Sequence, residues 1–214
     1  MTNSSALAFA LFLSLFFGNA ALGRVNVGAS TASIRPSRLV SWWVVCALTM
    51  LVVTRIEGLP LRSIGVRPPD IGSLGWGVLL FVVAFMIAGA AARIIMPALG
   101  LAQDQTRASA IANAPLALQL AMFATAVAAE ELICRGFVMS RLVPISPAVA
   151  VIASVVVFTL PHAFGWRLAQ LVFVAPLGLV FSLFFLWRPD LPAVIIAHFL
   201  VDTAGFLMLR MVRR

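Results

Sequence analysis

Lysine is absent from these 214 residues, and charged residues of every kind make up only 10% of them. A soluble domain carries about 25% charged residues, so an ordinary cytosolic enzyme is excluded. A disordered tail is excluded too, because it needs charge and little hydrophobicity. Cysteine is scarce as well: Cys46 and Cys134 are the whole supply, and they fall in different apolar segments. That excludes a secreted disulfide scaffold and leaves two small, buried apolar side chains. There is no internal repeat, no low-complexity tract and no basic stripe. The 15 positive charges are all arginine and stand singly between apolar runs. The net charge of +8 therefore reads as membrane anchoring, and no nucleic-acid partner is expected.

What is present is hydrophobicity, at 63% of residues. Seven runs carry no charge: Met1–Gly23, Leu39–Thr54, Ile71–Ala92, Ala108–Ala129, Leu142–Trp166, Leu168–Trp187 and Leu191–Leu209. Most approach the ~20 residues that an apolar helix needs to cross a bilayer, and lipid leaves helices as the way to satisfy the backbone. The fold class expected is thus all-α, a polytopic transmembrane helical bundle of about seven spans. Leu39–Thr54 is short and spans only with its flanking arginines snorkelling. Met1–Gly23 is read as a retained helix, with a signal peptide as the alternative. Prolines and glycines in Arg62–Gly75 mark a loop. Sharing the arginines between the two faces puts nine with the C-terminus, against Arg55, Arg62, Arg67, Arg141 and Arg188 opposite. A cytoplasmic C-terminus follows.

Six ionisable residues fall away from loops and helix ends: Glu130, Glu131, Arg135, His162, His198 and Asp202. Intramembrane charge is a functional hypothesis by default. At 1.5 Å per residue, a helix over Leu116–Arg141 puts Glu130 ~16 Å below the Arg141–Pro147 turn; the returning helix puts His162 at ~22 Å. A helix starting near Leu191 on the same side puts His198 at ~10 Å and Asp202 at ~16 Å. Three helices therefore carry polar groups to overlapping depths. Glu131 and Arg135 are four apart and can pair, as can His198 and Asp202. Glu130 lies about 100° around the helix from Glu131, so the two carboxylates take different roles. Pro161 kinks the helix before His162, and Ala126, Ala128, Ala129 and Gly136 let neighbours approach.

One carboxylate and two imidazoles around a point can activate water in two ways. They can hold a divalent metal such as zinc, with Glu130, His162, His198 and Asp202 as candidate ligands. Alternatively, Glu130 itself is the base, His198 and Asp202 stabilise an oxyanion, and Glu131 is held ionised by Arg135.

At these residues the sequence resembles the CPBP family of intramembrane proteases, which includes the CAAX prenyl endopeptidases and the bacterial Abi proteins. The EExxxR motif stands as Glu130-Glu131-Leu-Ile-Cys-Arg135, followed by Gly136-Phe137. FxxxH stands as Phe158-Thr-Leu-Pro-His162, and HxxxD as His198-Phe-Leu-Val-Asp202. The resemblance covers roughly Leu116–Leu207. It implies a core of catalytic helices in 116–214, behind an N-terminal membrane region in 1–115. It further implies endopeptidase activity on a membrane protein or lipid-anchored peptide, with Glu130, His162, His198 and Asp202 catalytic, and a bacterial inner-membrane location. Phe158 reads as packing. A prenylated substrate does not follow from the family label. Two other classes remain: a proton-coupled transporter, which relays ions through such groups, and a non-catalytic adaptor or immunity protein.

Overall fold

The computed structural model describes residues 36–102, 105–165 and 168–212. Met1–Gly23 lies outside the described residues, as do Arg24, Arg35, Arg167, Arg213 and Arg214 from the orientation count. Among the described residues there are seven helices and no strand. Helix α1, Pro36–Leu51, continues into a π turn, Val52–Ile56. A short 3₁₀ turn, Leu61–Ile64, leads to α2, Ile71–Ala90, which runs on through Ala91–Ile95 to Met96–Ala98. Next come α3, Gln105–Ala112, and α4, Leu116–Glu131, the latter prolonged through Leu132–Met139 and Ser140–Leu142. The last three are α5, Pro147–Gly165, α6, Leu168–Trp187, and α7, Leu191–Val212.

Five of these helices are long and apolar enough to cross a membrane, and Pro147–Ala163 is an apolar helix of shorter length. Large apolar side chains such as Leu79, Val82 and Met86 on α2 are exposed, the surface that lipid would cover. The chain is a helical bundle of an integral membrane protein.

The helix boundaries differ from the uncharged runs in an instructive way. The run Ala108–Ala129 is divided: Ala108 sits on α3, and α4 starts only at Leu116, after Pro115. At its other end α4 passes straight through Glu130, Glu131 and Arg135 to Leu142. Charge ends an apolar run but not a helix, provided the charges find partners inside the protein. Arg93 likewise falls within the prolonged α2.

One end of the bundle is tied together by ion pairs. Arg141, at the end of α4, pairs with Glu57, just past α1. Arg67 pairs with Asp190, which caps α7 by accepting from the Ala193 amide. Ser73 Oγ donates to Asp190 at 3.0 Å, and Arg188 Nε donates to it at 3.2 Å. Asp70 caps α2 by accepting from the Ser73 amide at 2.6 Å. The connection between these clamps fits only because of two glycines. Gly65 has φ +75°, which favours glycine. A Cβ on Gly136 would stand 3.0 Å from the Ile64 carbonyl oxygen, so its absence lets the loop press onto α4. On the adjoining side, Gly77 of α2 lies so near α7 that a Cβ would meet Ile196 at 2.8 Å. This is the small-residue contact expected between membrane helices.

Burial pushes the Asp190 carboxyl up, but hydrogen bonds from Arg67, Ser73, the Ala193 amide and Arg188 outweigh it and hold the group below the usual carboxylate range. A carboxylate with a lowered folded pKa contributes stability above its unfolded value, ~3.9, and loses it as pH falls through the folded value. Asp190→Asn is therefore expected to destabilise the protein at pH 7, by roughly 1–3 kcal/mol. The gap from wild type should narrow below about pH 4. Thermal melts in detergent across this range check it; a gap that stays constant with pH would show that the ionised carboxylate is not what holds the clamp.

Candidate active site

Glu130 and Glu131 occupy the last α-helical positions of α4, and the helix then widens into the π turn Leu132–Met139. All eight residues of that turn are buried, Arg135 among them. Such local widenings recur at functional sites. Here the turn brings a guanidinium into the interior, where every charge needs a partner. Arg135 Nη1 donates to Glu131 Oε1 at 2.9 Å, and Nη2 donates to the Gly178 carbonyl of α6 at 3.0 Å. The guanidinium carbon also sits 4.3 Å from the centre of the Phe158 ring and 5.6 Å from that of Phe181. These are cation–π distances.

Glu131 Oε1 has a second partner. His198 Nδ1 lies 2.7 Å from it, and a carboxylate ion-paired to arginine can only accept, so Nδ1 carries the hydrogen. The imidazole is thereby oriented from behind, as a carboxylate orients the histidine of a hydrolytic triad. Its other nitrogen, Nε2, faces Glu130 Oε2 at 4.0 Å and Asp202 Oδ2 at 3.8 Å. The two adjacent glutamates thus meet one imidazole from opposite nitrogens. Their exposure differs accordingly: the Glu131 side chain is 0% exposed, whereas Glu130 is 18% and Asp202 32% exposed. The open side of the cluster is the Glu130–Asp202 side.

His162 reaches the same neighbourhood from α5. Its Nδ1 donates to the Phe158 carbonyl at 3.0 Å, because a carbonyl oxygen can only accept. That assigns the lone pair of the neutral ring to Nε2. The Phe158 ring stands against both imidazoles, with centroids 5.5 Å from His162 and 5.5 Å from His198. Phe158 is therefore packed, but packed against three polar groups of the site. Glu130, Glu131, Arg135, His198 and Asp202 form one connected cluster, with His162 joined to it through Phe158. Among the described residues no group of three or more His, Cys, Asp or Glu side chains stands in an arrangement able to hold a metal ion.

Two participants lie outside every motif read from the sequence. Gly178 supplies a backbone carbonyl, and Phe181, 5.2 Å from the His198 ring, supplies a second aromatic wall. Both are on α6, which brings no ionisable side chain of its own to the site. Cys134, between the glutamates and Arg135 in sequence, is fully buried in the apolar core.

A carboxylate and two oriented imidazoles inside a helical membrane bundle define the class of polytopic proteins with an intramembrane polar site. Residues 112–204, which contain all six of these residues, match the family model described as Type II CAAX prenyl endopeptidase Rce1-like. No curated protein and no solved structure matches the chain. That match supports placing the segment with the CPBP/CAAX proteases, a family of intramembrane proteases.

The buried pair invites a stability test. Arg135→Met strands the Glu131 carboxylate and is expected to destabilise the protein by about 3–5 kcal/mol. Adding Glu131→Leu should recover only part of that loss, since apolar replacement of a buried pair is often neutral but here also removes the acceptor of the buried His198 Nδ1–H. Denaturant melts in detergent measure both; an Arg135→Met protein as stable as wild type would refute the paired-charge account.

Proposed function

We propose that the protein is an intramembrane endopeptidase in which the Glu130 carboxylate, aided by His162, activates a water for attack on a peptide carbonyl. The observation that carries this reading is the division of labour at His198: Glu131 engages Nδ1, leaving Glu130 and Asp202 on the Nε2 side. Glu130 is the base because it is not tied to Arg135 and lies on the open side. In the first step a water proton passes to Glu130 while the water oxygen bonds to the carbonyl carbon, and the carbonyl π electrons move onto oxygen. His198, as an imidazolium, donates from Nε2 to that oxyanion, and Asp202 balances its charge. Collapse of the intermediate breaks the C–N bond, and Glu130 returns its proton to the leaving amine.

His162, with its lone pair on Nε2, suits the water as a hydrogen-bond acceptor. Substrates in this reading are membrane proteins or lipid-anchored peptides that present an extended segment within or beside the bilayer. The arginine distribution supports a cytoplasmic C-terminus.

The test is cleavage of a membrane-anchored peptide library by purified wild type and Glu130→Gln, with and without a chelator. Wild type is expected to cleave. Glu130→Gln should lose on the order of 10²–10⁴-fold while keeping the wild-type melting temperature. Cleavage that persists in chelator supports the glutamate as the activating group, whereas chelator-sensitive cleavage restored by zinc would move water activation to a metal. A Glu130→Gln protein as active as wild type would overturn the reading. Ion-dependent uptake into vesicles in place of cleavage would replace it with the transporter.

A further inference from the structure

Helix α6 has no acid, base or histidine in its span, yet one residue on it touches the active site twice. The Gly178 carbonyl accepts from Arg135 Nη2 at 3.0 Å, and Ser182 Oγ hydrogen-bonds the same oxygen at 2.8 Å while also bonding Ser154 Oγ of α5 at 2.9 Å. On its other side Gly178 has no side chain to offer, and that space is taken by Phe158. A Cβ at position 178 would lie 2.8 Å from Phe158 Cδ1 and 3.7 Å from Arg135 Nη2. To restore an ordinary contact of 3.4 Å, the ring would have to back away by about 0.6 Å.

Phe158 has nowhere to back into. It is 2% exposed, its face is covered by the Arg135 guanidinium at 4.3 Å, and its ring abuts both His162 and His198 at 5.5 Å. Any displacement of the ring is therefore handed to the two imidazoles or to the arginine that fixes Glu131. We propose that Gly178 is a positioning residue for the active site: its missing side chain seats Phe158, and its carbonyl holds Arg135. Through those two contacts it sets the placement of His162 and His198. This rests on the endopeptidase reading above and adds a fourth helix to the machinery that the three motif-bearing helices supply. A glycine in a helix is ordinarily a weakness, since alanine is the better helix former. At this position the deficit in helix propensity is exchanged for the geometry of the site.

The test is Gly178→Ala, with Gly75→Ala as control because a Cβ there meets nothing within 4 Å. Gly178→Ala is expected to fold with a lowered melting temperature, because the core is overpacked there, and to keep its KM but lose kcat by on the order of 10²-fold, the effect of a sub-ångström to ångström misplacement of reacting groups. Gly75→Ala should behave as wild type. The chain has two histidines, so ¹⁵N-histidine labelling reports on these two rings alone. The Nδ1 proton that His198 shares with Glu131 should shift in Gly178→Ala and not in Gly75→Ala. Phe158→Leu relieves the clash, so the double variant should be no slower than Phe158→Leu alone. Wild-type kcat and unshifted histidine signals in Gly178→Ala would overturn the proposal, as would losses that multiply in the double variant. If Gly178→Ala does not fold, the double variant decides: a folded protein with the activity of Phe158→Leu supports the seat, and a second failure to fold overturns it. Failure of the endopeptidase reading is read separately, from Glu130→Gln. In that event the histidine signals still test the seat.

Discussion

A guanidinium cut off from water has to be solvated by the protein, and Arg135 is in that position. Its surroundings meet it in three ways: the Glu131 carboxylate, the Gly178 carbonyl, and the faces of Phe158 and Phe181, with Nε left without a hydrogen-bond partner. Each of these partners belongs to a different part of the site, so the requirement to solvate one cation organises all of them. Glu131 is drawn to one side, where the same oxygen that takes Arg135 also takes His198. Phe158 is drawn to another, where it packs on both imidazoles. In water these groups would reorient freely. In a low-dielectric interior an unmatched charge is so costly that the arrangement has little alternative, and that rigidity is what an electrostatic site requires.

The same constraint explains how two adjacent glutamates acquire opposite characters. Glu131 is fully enclosed and committed to two donors, so it serves as a fixed counter-charge. Glu130, one position earlier, looks to the open side and approaches His198 only at 4.0 Å. A group with a committed partner is poorly suited to shuttling a proton; one held near its partner without being bound to it is suited well. The helix puts about 100° between them, and the imidazole ring, with a nitrogen at each end, spans that divergence.

Much of this was legible in the sequence, because it depends on side-chain type and helical spacing. The pairs Glu131–Arg135 and His198–Asp202 follow from a separation of four, and the common depth of three helices follows from rise per residue. Other features were not legible, each for a physical reason. The uncharged run Ala108–Ala129 taken alone does not bound α4, since hydropathy registers the cost of a charge but not the partner that cancels it; the helix read over Leu116–Arg141 does match it. The loop read at Arg62–Gly75 runs too far, because Asp70 caps α2 at Ile71, where the uncharged run Ile71–Ala92 already begins. Gly178 left no signal at all. A backbone carbonyl is common to every residue, and an absent Cβ matters only once the neighbour it admits is known.

The ion pairs at the end of the bundle bear on the site through distance along the helices. Asp190 caps α7 eight residues before His198, a lever of ~12 Å. Arg141 is anchored six residues after Arg135 on α4, a lever of ~9 Å. A helix pinned that close to its functional residue has little freedom to slide or rotate. Lipid supplies no hydrogen bonds to hold polar side chains at depth, so their placement has to be imposed from where ion pairs are cheap to form, at the interface. Gly77 against Ile196 and Gly136 against the Ile64 carbonyl then bring backbone to within contact of its neighbours, leaving no slack between the anchors and the charges they position. A polar site within a bilayer is in this sense built from its rim inward: the clamps set the register of α4 and α7, and the register lets one imidazole face three carboxylates.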